Sequence, residues 1–398
     1  MPENKKILVT PLLLFAAASL LMGLYSGLYD PSFNNYLAQT HNATPLARGA
    51  VEFPREMPGF LVVFIVTALM FLADTRIAAL SALLVGLALW GQGFLSPDLK
   101  WVVVWMVMWS TGAHVYMAIA PSIGIRLARA GQEGRRLGQI GFLESLGALL
   151  GLTIVYWGAS RWHFSFAFIF GLAGIFALSA AISLFLIKPA PLENPARRLV
   201  FKKKYSLFYW LNIVFGARKQ IFLTFAPWVL IRVFGCGVET FALLGFLGTV
   251  LSLVFRPLLG QAIDRLGEKV IISAESIVLV LMSLLYGFSS SWFSQETALI
   301  ITMACFVADQ LLFSVRIART TYLNRIVDHP DDLTPTISMG LSLDHAVSML
   351  IPLGGGLLWT YYGYIPVFLA SGVLALANLG LAFRIPSRTA QPTPAQQS

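Results

Sequence analysis

Long apolar stretches alternate with short polar ones along almost the whole of this 398-residue chain. A membrane-spanning helix needs about 20 mostly apolar residues, and its backbone must satisfy its own hydrogen bonds inside the bilayer. Twelve stretches reach that length, and we predict an all-α integral membrane protein with one transmembrane helix in each. The predicted bounds are 8–30, 50–73, 76–95, 100–126, 138–159, 163–187, 205–233, 238–262, 269–289, 296–322, 334–360 and 363–384.

The composition agrees with this pattern, since 57% of the residues are hydrophobic and only 12% are charged. Little length is left between the spans for a catalytic domain. The two cysteines, Cys236 and Cys305, are too few for a disulfide framework. The chain shows no nucleotide-binding loop, metal-ligand cluster or hydrolytic triad. We therefore predict that it is not an enzyme and that it uses no cofactor and no metal.

The net charge of +9 comes from basic residues that lie between the spans, which argues against nucleic-acid binding and for contact with the bilayer. Lys and Arg are enriched in the cytoplasmic loops of membrane proteins. If the N-terminus is cytoplasmic, the outside loops carry only Arg48, Lys100 and Arg161. This distribution predicts a plasma (inner) membrane protein with both termini in the cytoplasm.

The middle of the chain contains a segment rich in proline and charge, KPAPLENPARRLVFKKK, at residues 188–204. We predict that it is a cytoplasmic linker between two six-helix halves, 1–187 and 205–386, and that the tail 387–398 is disordered. Residues 140–180 and 337–377 repeat the same order of parts. Parallel repeats of this kind are typical of one class of transporters, in which the substrate site lies near the bilayer midplane.

A glycine-rich motif, GQAIDRLGEK, follows the eighth span at residues 260–269. It resembles the cytoplasmic loop motif of the major facilitator superfamily, Gly-x3-Asp-Arg-x-Gly followed by a base. The matching residues are Gly260, Asp264, Arg265 and Gly267, with Lys269 as the base. The corresponding first-half segment keeps Asp74 and Arg76 but lacks the glycines. The resemblance implies twelve helices in two pseudo-symmetric halves, transport by alternating access, and a motif that helps to hold the outward-facing state.

Elementary chemistry suggests what the motif residues do. Gly260 would allow close helix approach, and Gly267 would allow a tight turn. Asp264 would lie against a helix N-terminus or a base. Arg265 and Lys269 would face the anionic inner leaflet. In the fifth and eleventh spans, glycines such as Gly147 and Gly355 would serve close helix packing.

Ionisable residues within a span are costly and indicate function. The candidates for substrate binding or proton coupling are Arg218, Lys219, Asp309, Asp344, His345, His114 and Arg316. Arg218 and Lys219 are adjacent and point about 100° apart. We expect one of them to pair with an aspartate, which leaves the other for substrate. The alternative is a set of static ion pairs, Arg218 with Asp344 or Arg316 with Asp264. Arg316 and Arg319 could also extend to the lipid headgroups.

A second charged group opens the second span, on the predicted outer side. Arg55 could form an extracellular gate with Asp30 or with Glu56. The alternative is a solvated, capped helix start.

These observations predict a secondary transporter that moves a small polar or anionic organic solute and is coupled to protons, since two aspartates and two histidines suit a proton relay. Its partners would be the solute, protons and the lipid bilayer, and it would act as a monomer. Two alternatives stay open, an exporter of amphipathic or multidrug compounds and a non-transporting sensor.

Overall fold

The computed structural model describes residues 11–69, 71–128, 132–188 and 201–386, and within these ranges the chain is helical and has no strand. The helices are α1 Pro11–Gln39, α2 Pro45–Ala68, α3 Asp74–Phe94, α4 Leu99–Arg126, α5 Glu133–Trp162, α6 Phe166–Phe185, α7 Ser206–Arg232, α8 Val238–Leu266, α9 Glu268–Trp292, α10 Gln295–Leu312, α11 Arg316–Ile326, α12 Pro330–Tyr362 and α13 Ile365–Phe383. The predicted tail and most of the predicted linker lie outside the described residues.

Ten helical segments of the described ranges are long and apolar enough to cross a membrane, counting α10 and α11 as one. The helices α2 and α7 are not among them. Both carry charged residues within the helix, Glu52 and Arg55 in α2 and Arg218 and Lys219 in α7. A helix with such residues must satisfy them by contacts with its neighbours.

Two helices differ most from the predicted spans, while α2 lies five residues before its predicted span at both ends. The first continues to Gln39, well past Asp30, because Phe33, Tyr36 and Leu37 are buried and the Tyr36 hydroxyl donates to the Gln92 carbonyl at 2.8 Å. The tenth span is interrupted by a 3₁₀ turn at Phe313–Val315. A 3₁₀ turn has about 3.0 residues rather than 3.6. The residues after this turn are therefore rotated about the helix axis relative to their positions in one continuous α-helix.

By its contacts the chain divides into two compact units. The first contains the described residues of Met1–Asn42, Leu61–Pro195 and Gly237–Phe246, and the second those of Ala43–Phe60, Ala196–Cys236 and Leu247–Ser398. The first part of α2, up to Phe60, thus groups with the second unit, and the start of α8 with the first. The sequence boundaries at 187 and 205 stay a prediction.

In the first unit, α1 and α5 cross at glycines. A Cβ atom on Gly23 would meet the carbonyl of Glu144, and one on Gly147 would meet the carbonyl of Leu20. Small residues let helix backbones approach in this way. Gly147 thus packs as expected, whereas Gly141 has no atom within 4 Å of its Cβ position.

In the second unit, α7 is buried along nearly its whole length between Phe208 and Ile231. Its aromatic side chains pack with those of α9 and α13, as Phe222 contacts Tyr286 at 5.3 Å and Phe368 at 5.6 Å between ring centres. Arg218 and Lys219, near the middle of this helix, are therefore removed from water, with exposures of 3% and 6%.

The segment just before α7 is held by exposed ion pairs, which we call the clamp. Lys202 pairs with Asp332, and Lys204 pairs with Asp328. The Tyr205 hydroxyl lies between the two carboxylates, 3.1 Å from Asp332 and 3.4 Å from Asp328. This clamp joins the end of the predicted linker to Asp328, between α11 and α12, and to Asp332, in the first turn of α12.

The clamp gives a pH prediction. Hydrogen bonds from Lys204 and Lys202 lower the pKa of Asp328 and Asp332, respectively. A lowered carboxyl pKa adds stability that is present above the ordinary value, about 3.9, and is lost as the pH falls through the lowered value. The melting temperature of an Asp328→Asn/Asp332→Asn variant should therefore lie below that of the wild type at pH 7 and converge with it below about pH 4.

High salt should also shrink this difference, since exposed charges are screened. A difference in melting temperature that persists at low pH would contradict the clamp. A difference insensitive to 1 M NaCl would contradict it as well.

Candidate functional site

Two buried ion pairs extend from adjacent residues of α7. Arg218 Nη1 lies 2.5 Å from Asp309 Oδ1 of α10. Lys219 Nζ lies 2.7 Å and 3.0 Å from the two carboxylate oxygens of Asp344 on α12. The two bases reach different helices because adjacent side chains point about 100° apart. The expectation that one base stays free is wrong, and Arg218 pairs with Asp309 rather than with Asp344.

The position of Asp344 depends on a close approach of α7 and α12. A Cβ atom on Gly216 would meet the Asp344 backbone and carboxylate. Ser348 Oγ donates to Asp344 Oδ1 at 3.2 Å. The carboxylate is therefore oriented by Ser348 as well as by Lys219, and only a residue without a side chain fits at 216.

A larger polar group, called the outer cluster after its predicted side of the membrane, surrounds the first part of α2 within the second unit. Glu52 is fully buried and accepts hydrogen bonds from Arg48, from Arg55 Nε at 2.7 Å and from Gln220 Nε2 at 2.5 Å. Glu56 accepts from Arg55 Nη2 at 2.6 Å and from His345 Nδ1 at 2.8 Å. The outer cluster comprises Arg48, Glu52, Arg55, Glu56, Gln220 and His345.

The contacts of Arg55 and Asp30 bear on the predicted extracellular gate. Arg55 does pair with Glu56, while Asp30 accepts a hydrogen bond from Ser26 at 2.6 Å. The alternative prediction, a solvated helix start, is wrong because Glu56 is only 4% exposed. Arg48, assigned to an outside loop by sequence, is a buried residue of α2. Gln220 was missed, although a polar residue next to two intramembrane bases was a usable signal.

A separate ion pair joins α9 and α11. Arg319 Nη2 lies 2.9 Å from Glu275 Oε2, and the side chains are 2% and 0% exposed. The Arg319 guanidinium also lies 4.3 Å from the ring centre of Phe215. Arg319 therefore does not extend to the headgroups. Glu275 was missed, although an acid within the ninth span is itself a functional signal.

The two remaining coupling candidates are Arg316 and His114. Arg316 is exposed, stacks on Phe313 at 5.2 Å, and has no ion pair among the described residues, so its pairing with Asp264 is not found. His114 belongs to the first unit and makes a local contact, its Nδ1 lying 2.9 Å from the Ser110 carbonyl oxygen.

The glycine-rich motif lies mostly within a helix. Since α8 continues to Leu266, Gly260, Asp264 and Arg265 form its last turns rather than a loop. Gly260 has no atom within 4 Å of its Cβ position, so it does not serve close helix approach here. Gly267, with φ of +81°, makes the turn before α9, as expected of a residue without Cβ.

Glu268 follows this turn as the first residue of α9 and lies 3.4 Å from Arg325. The motif residue Lys269 is the second residue of the same helix. In the first-half counterpart, Asp74 accepts from Ser122 at 2.5 Å and pairs with Arg126 at 2.9 Å. Arg76 donates to the carbonyl of Phe185, the last residue of α6. The acid and the base therefore tie α3 to two neighbouring helices even without the glycines.

Comparisons with known proteins agree with this architecture. The family model described as Major Facilitator Superfamily matches residues 16–330. A mutant of the nucleoside transporter NupG is 13% identical, with a TM-score of 0.78 over 95% of this chain and 100% of that one. The D-xylose-proton symporter is 16% identical, with a TM-score of 0.67 over 96% and 98%.

A bacterial homolog of the human lysosomal transporter Spinster, inward-facing and occupied, is 14% identical, with a TM-score of 0.72 over 96% of this chain and 98% of that one. No curated protein matches the sequence significantly. The structural likenesses confirm the predicted fold. Because the family model covers most of the sequence, the chain belongs to the major facilitator superfamily, a family of multi-pass membrane transporters.

Proposed function

We propose that the chain is a secondary active transporter that moves a small polar organic solute by alternating access, coupled to protons. The observation that carries the proposal is the buried Lys219–Asp344 ion pair. A proton on Asp344 removes the charge that holds Lys219, so protonation and ion pairing compete for one carboxylate. Such competition gives a two-state element that a proton gradient can bias.

The ion pairs of Arg218 and Lys219 also bear on the charge of the solute that the protein can bind. Arg218 and Lys219 both have aspartate partners, so an anionic solute would have to break an ion pair or use the exposed Arg316. The similar structures are named as a nucleoside transporter and as a sugar–proton symporter. We therefore favour a neutral, hydroxyl-rich solute over an anion.

The membrane placement is part of the proposal. The distribution of Lys and Arg supports a plasma membrane location with cytoplasmic termini. The outer cluster, with Glu52 held by two arginines and Gln220, is proposed as the outer gate. We also propose a monomer, because each of these pairs is complete within one chain.

Proton coupling is tested in proteoliposomes with an imposed pH gradient and a panel of nucleosides, sugars, small carboxylates and lipophilic cations. We expect one polar solute to be accumulated by the wild type. Asp344→Asn should lose gradient-driven accumulation but retain solute exchange at equal pH, because the amide keeps the shape of the carboxyl while no longer exchanging a proton.

The matched control is Glu296→Gln, which removes an exposed acid in the first turn of α10. Full gradient-driven accumulation by Asp344→Asn would remove Asp344 from coupling. Flux of lipophilic cations alone would favour the exporter, and binding without flux would favour the sensor.

A further inference from the structure

Two arginines of the second unit carry charge without an acidic partner. Arg256 of α8 and Arg316, the first residue of α11, are both exposed, and neither forms an ion pair with a residue that the structure describes. By contrast, Arg218, Lys219 and Arg319 of the same unit each pair with a carboxylate. A charge without a partner inside a membrane-spanning helix is costly and indicates a functional site.

The two guanidinium groups lie at the same 3₁₀ turn. Arg256 Nε donates to Ser314 Oγ at 3.4 Å, and the Arg316 guanidinium lies 5.2 Å from the ring centre of Phe313. Phe313 and Ser314 are adjacent residues of this turn. Two positive charges are thus held close together, and each raises the electrostatic cost of the other. An anion bound to both would remove that cost.

Arg256 does not face the exposed apolar side of α8. Val254 and Leu258, 63% and 57% exposed, lie two residues to either side of it and therefore point about 200° away. Ser252 lies four residues before Arg256, on the same side of the helix, and is only 8% exposed. The Arg256 side chain therefore leaves α8 on its packed side rather than on the side that would face lipid.

Arg316 is anchored to α7 through an aromatic pair. Phe313 packs on Phe215 of α7 with 5.7 Å between ring centres, and Phe215 is buried. The Arg316 guanidinium, which stacks on Phe313, therefore lies towards the interior of the unit. The acid within electrostatic range of Arg316 is Asp344, which already pairs with Lys219. The charge of Arg316 is thus left for a ligand.

Arg256 and Arg316 also lie at a similar depth in the helix bundle of this unit. Each is about ten residues, or about 15 Å, before the end of its helix, at Leu266 and at Ile326. The distribution of Lys and Arg predicts that these helix ends are cytoplasmic. A ligand that binds both arginines would therefore enter from the predicted cytoplasmic side.

We propose that Arg256 and Arg316 form a binding site for a phosphate group, as a second ligand besides the neutral solute. A phosphate monoester carries a charge of about −1.5 to −2 at pH 7, which matches two arginines, whereas a carboxylate would neutralise only one. Guanidinium groups bind phosphate through parallel N–H donors. Arg256 keeps both Nη groups for this contact, because its bond to Ser314 uses Nε.

Phosphate groups are carried by soluble compounds and by lipid headgroups. The orientation of Arg256, away from the exposed Val254 and Leu258, favours a soluble compound. The site goes beyond the proposed transport of a neutral solute, since it includes neither Lys219 nor Asp344. Its test needs no solute and no pH gradient, so the two proposals can fail separately.

The test uses the purified full-length protein in phosphate-free buffer, with inorganic phosphate as the probe. Phosphate should raise the melting temperature saturably, and sodium chloride at the same ionic strength should not. Equilibrium dialysis with radiolabelled phosphate gives the dissociation constant. Arg256→Gln and Arg316→Gln should each weaken phosphate binding about tenfold or more, because each removes hydrogen bonds between charged groups.

Three variants separate a binding role from a structural one. Without phosphate, Arg256→Gln should melt no lower than the wild type, because it relieves the repulsion between two like charges. Arg256→Lys should bind phosphate better than Arg256→Gln but more weakly than the wild type, since lysine keeps the charge and loses the fork of donors. The matched control, Arg161→Gln, removes an exposed arginine from the last turn of α5 and should bind phosphate like the wild type.

Glycerol 3-phosphate and phosphatidic acid distinguish the two sources of the phosphate group. In phosphatidylcholine nanodiscs, glycerol 3-phosphate should compete with radiolabelled phosphate, and phosphatidic acid added to the nanodisc should not. Competition by phosphatidic acid alone would overturn the soluble source. The site itself would be overturned by equal effects of phosphate and sodium chloride, by wild-type affinity in a folded Arg256→Gln/Arg316→Gln variant, or by the absence of saturable phosphate binding to the wild type.

Discussion

Lys219→Ala is expected to lower the free energy of unfolding by about 3–5 kcal/mol, because it leaves the charge of Asp344 buried without its partner. The side chains of the pair are only 8% and 9% exposed, so water cannot replace the lysine. The effect is measured by thermal or denaturant unfolding of the purified protein in detergent. Melting like the wild type would show that water or another base reaches Asp344.

The double variant Lys219→Ala/Asp344→Ala separates stability from function. With both charges gone, most of the lost stability should return, because no uncompensated charge remains. Proton-driven accumulation should stay absent, because the competition between a proton and Lys219 no longer exists. Recovery of accumulation in the double variant would count against the coupling role of the pair.

Arg319→Ala should cause a loss of similar size, about 3–5 kcal/mol, since Glu275 would remain buried with 0% of its side chain exposed. The lost contact between the guanidinium and the Phe215 ring adds to this, by about 0.5–2 kcal/mol. The same unfolding measurement checks it, and a variant with unchanged stability would show that Glu275 finds another partner.

The informative comparison is with an apolar replacement of both residues, Arg319→Met/Glu275→Leu. Well-packed apolar residues often match or exceed a buried ion pair in stability. We therefore expect near-normal stability and, unlike in the Lys219–Asp344 case, normal transport. Loss of transport in a stable double variant would assign this pair a role beyond holding α9 to α11.

The helices were predictable to within a few residues in most cases, because the bilayer requires long apolar segments. The exceptions have specific causes. The predicted first helix ended at residue 30, where the apolar run ends, while α1 continues to Gln39 with buried aromatic residues. The 3₁₀ turn at Phe313–Val315 contains no proline or glycine from which it could have been predicted.

The candidate site was predictable in its residues but only partly in its contacts. Helical geometry alone required Arg218 and Lys219 to meet different partners, and it placed Arg55 within reach of Glu52, three residues before it on the same helix. It did not indicate that Gln220 would bond to Glu52, a residue 168 positions away. Nor did it show that Glu275 would neutralise Arg319.

The sequence by itself determined that this is a multi-pass membrane protein of the major facilitator superfamily, because apolar length and a local motif are properties of short segments. Only the tertiary structure decided that Arg218 meets Asp309 and that Lys219 meets Asp344. These outcomes depend on how each helix is rotated about its axis and how closely it approaches its neighbour. Contacts at Gly216 and Gly23 set that approach, and hydrophobicity summed along a helix carries no information about it.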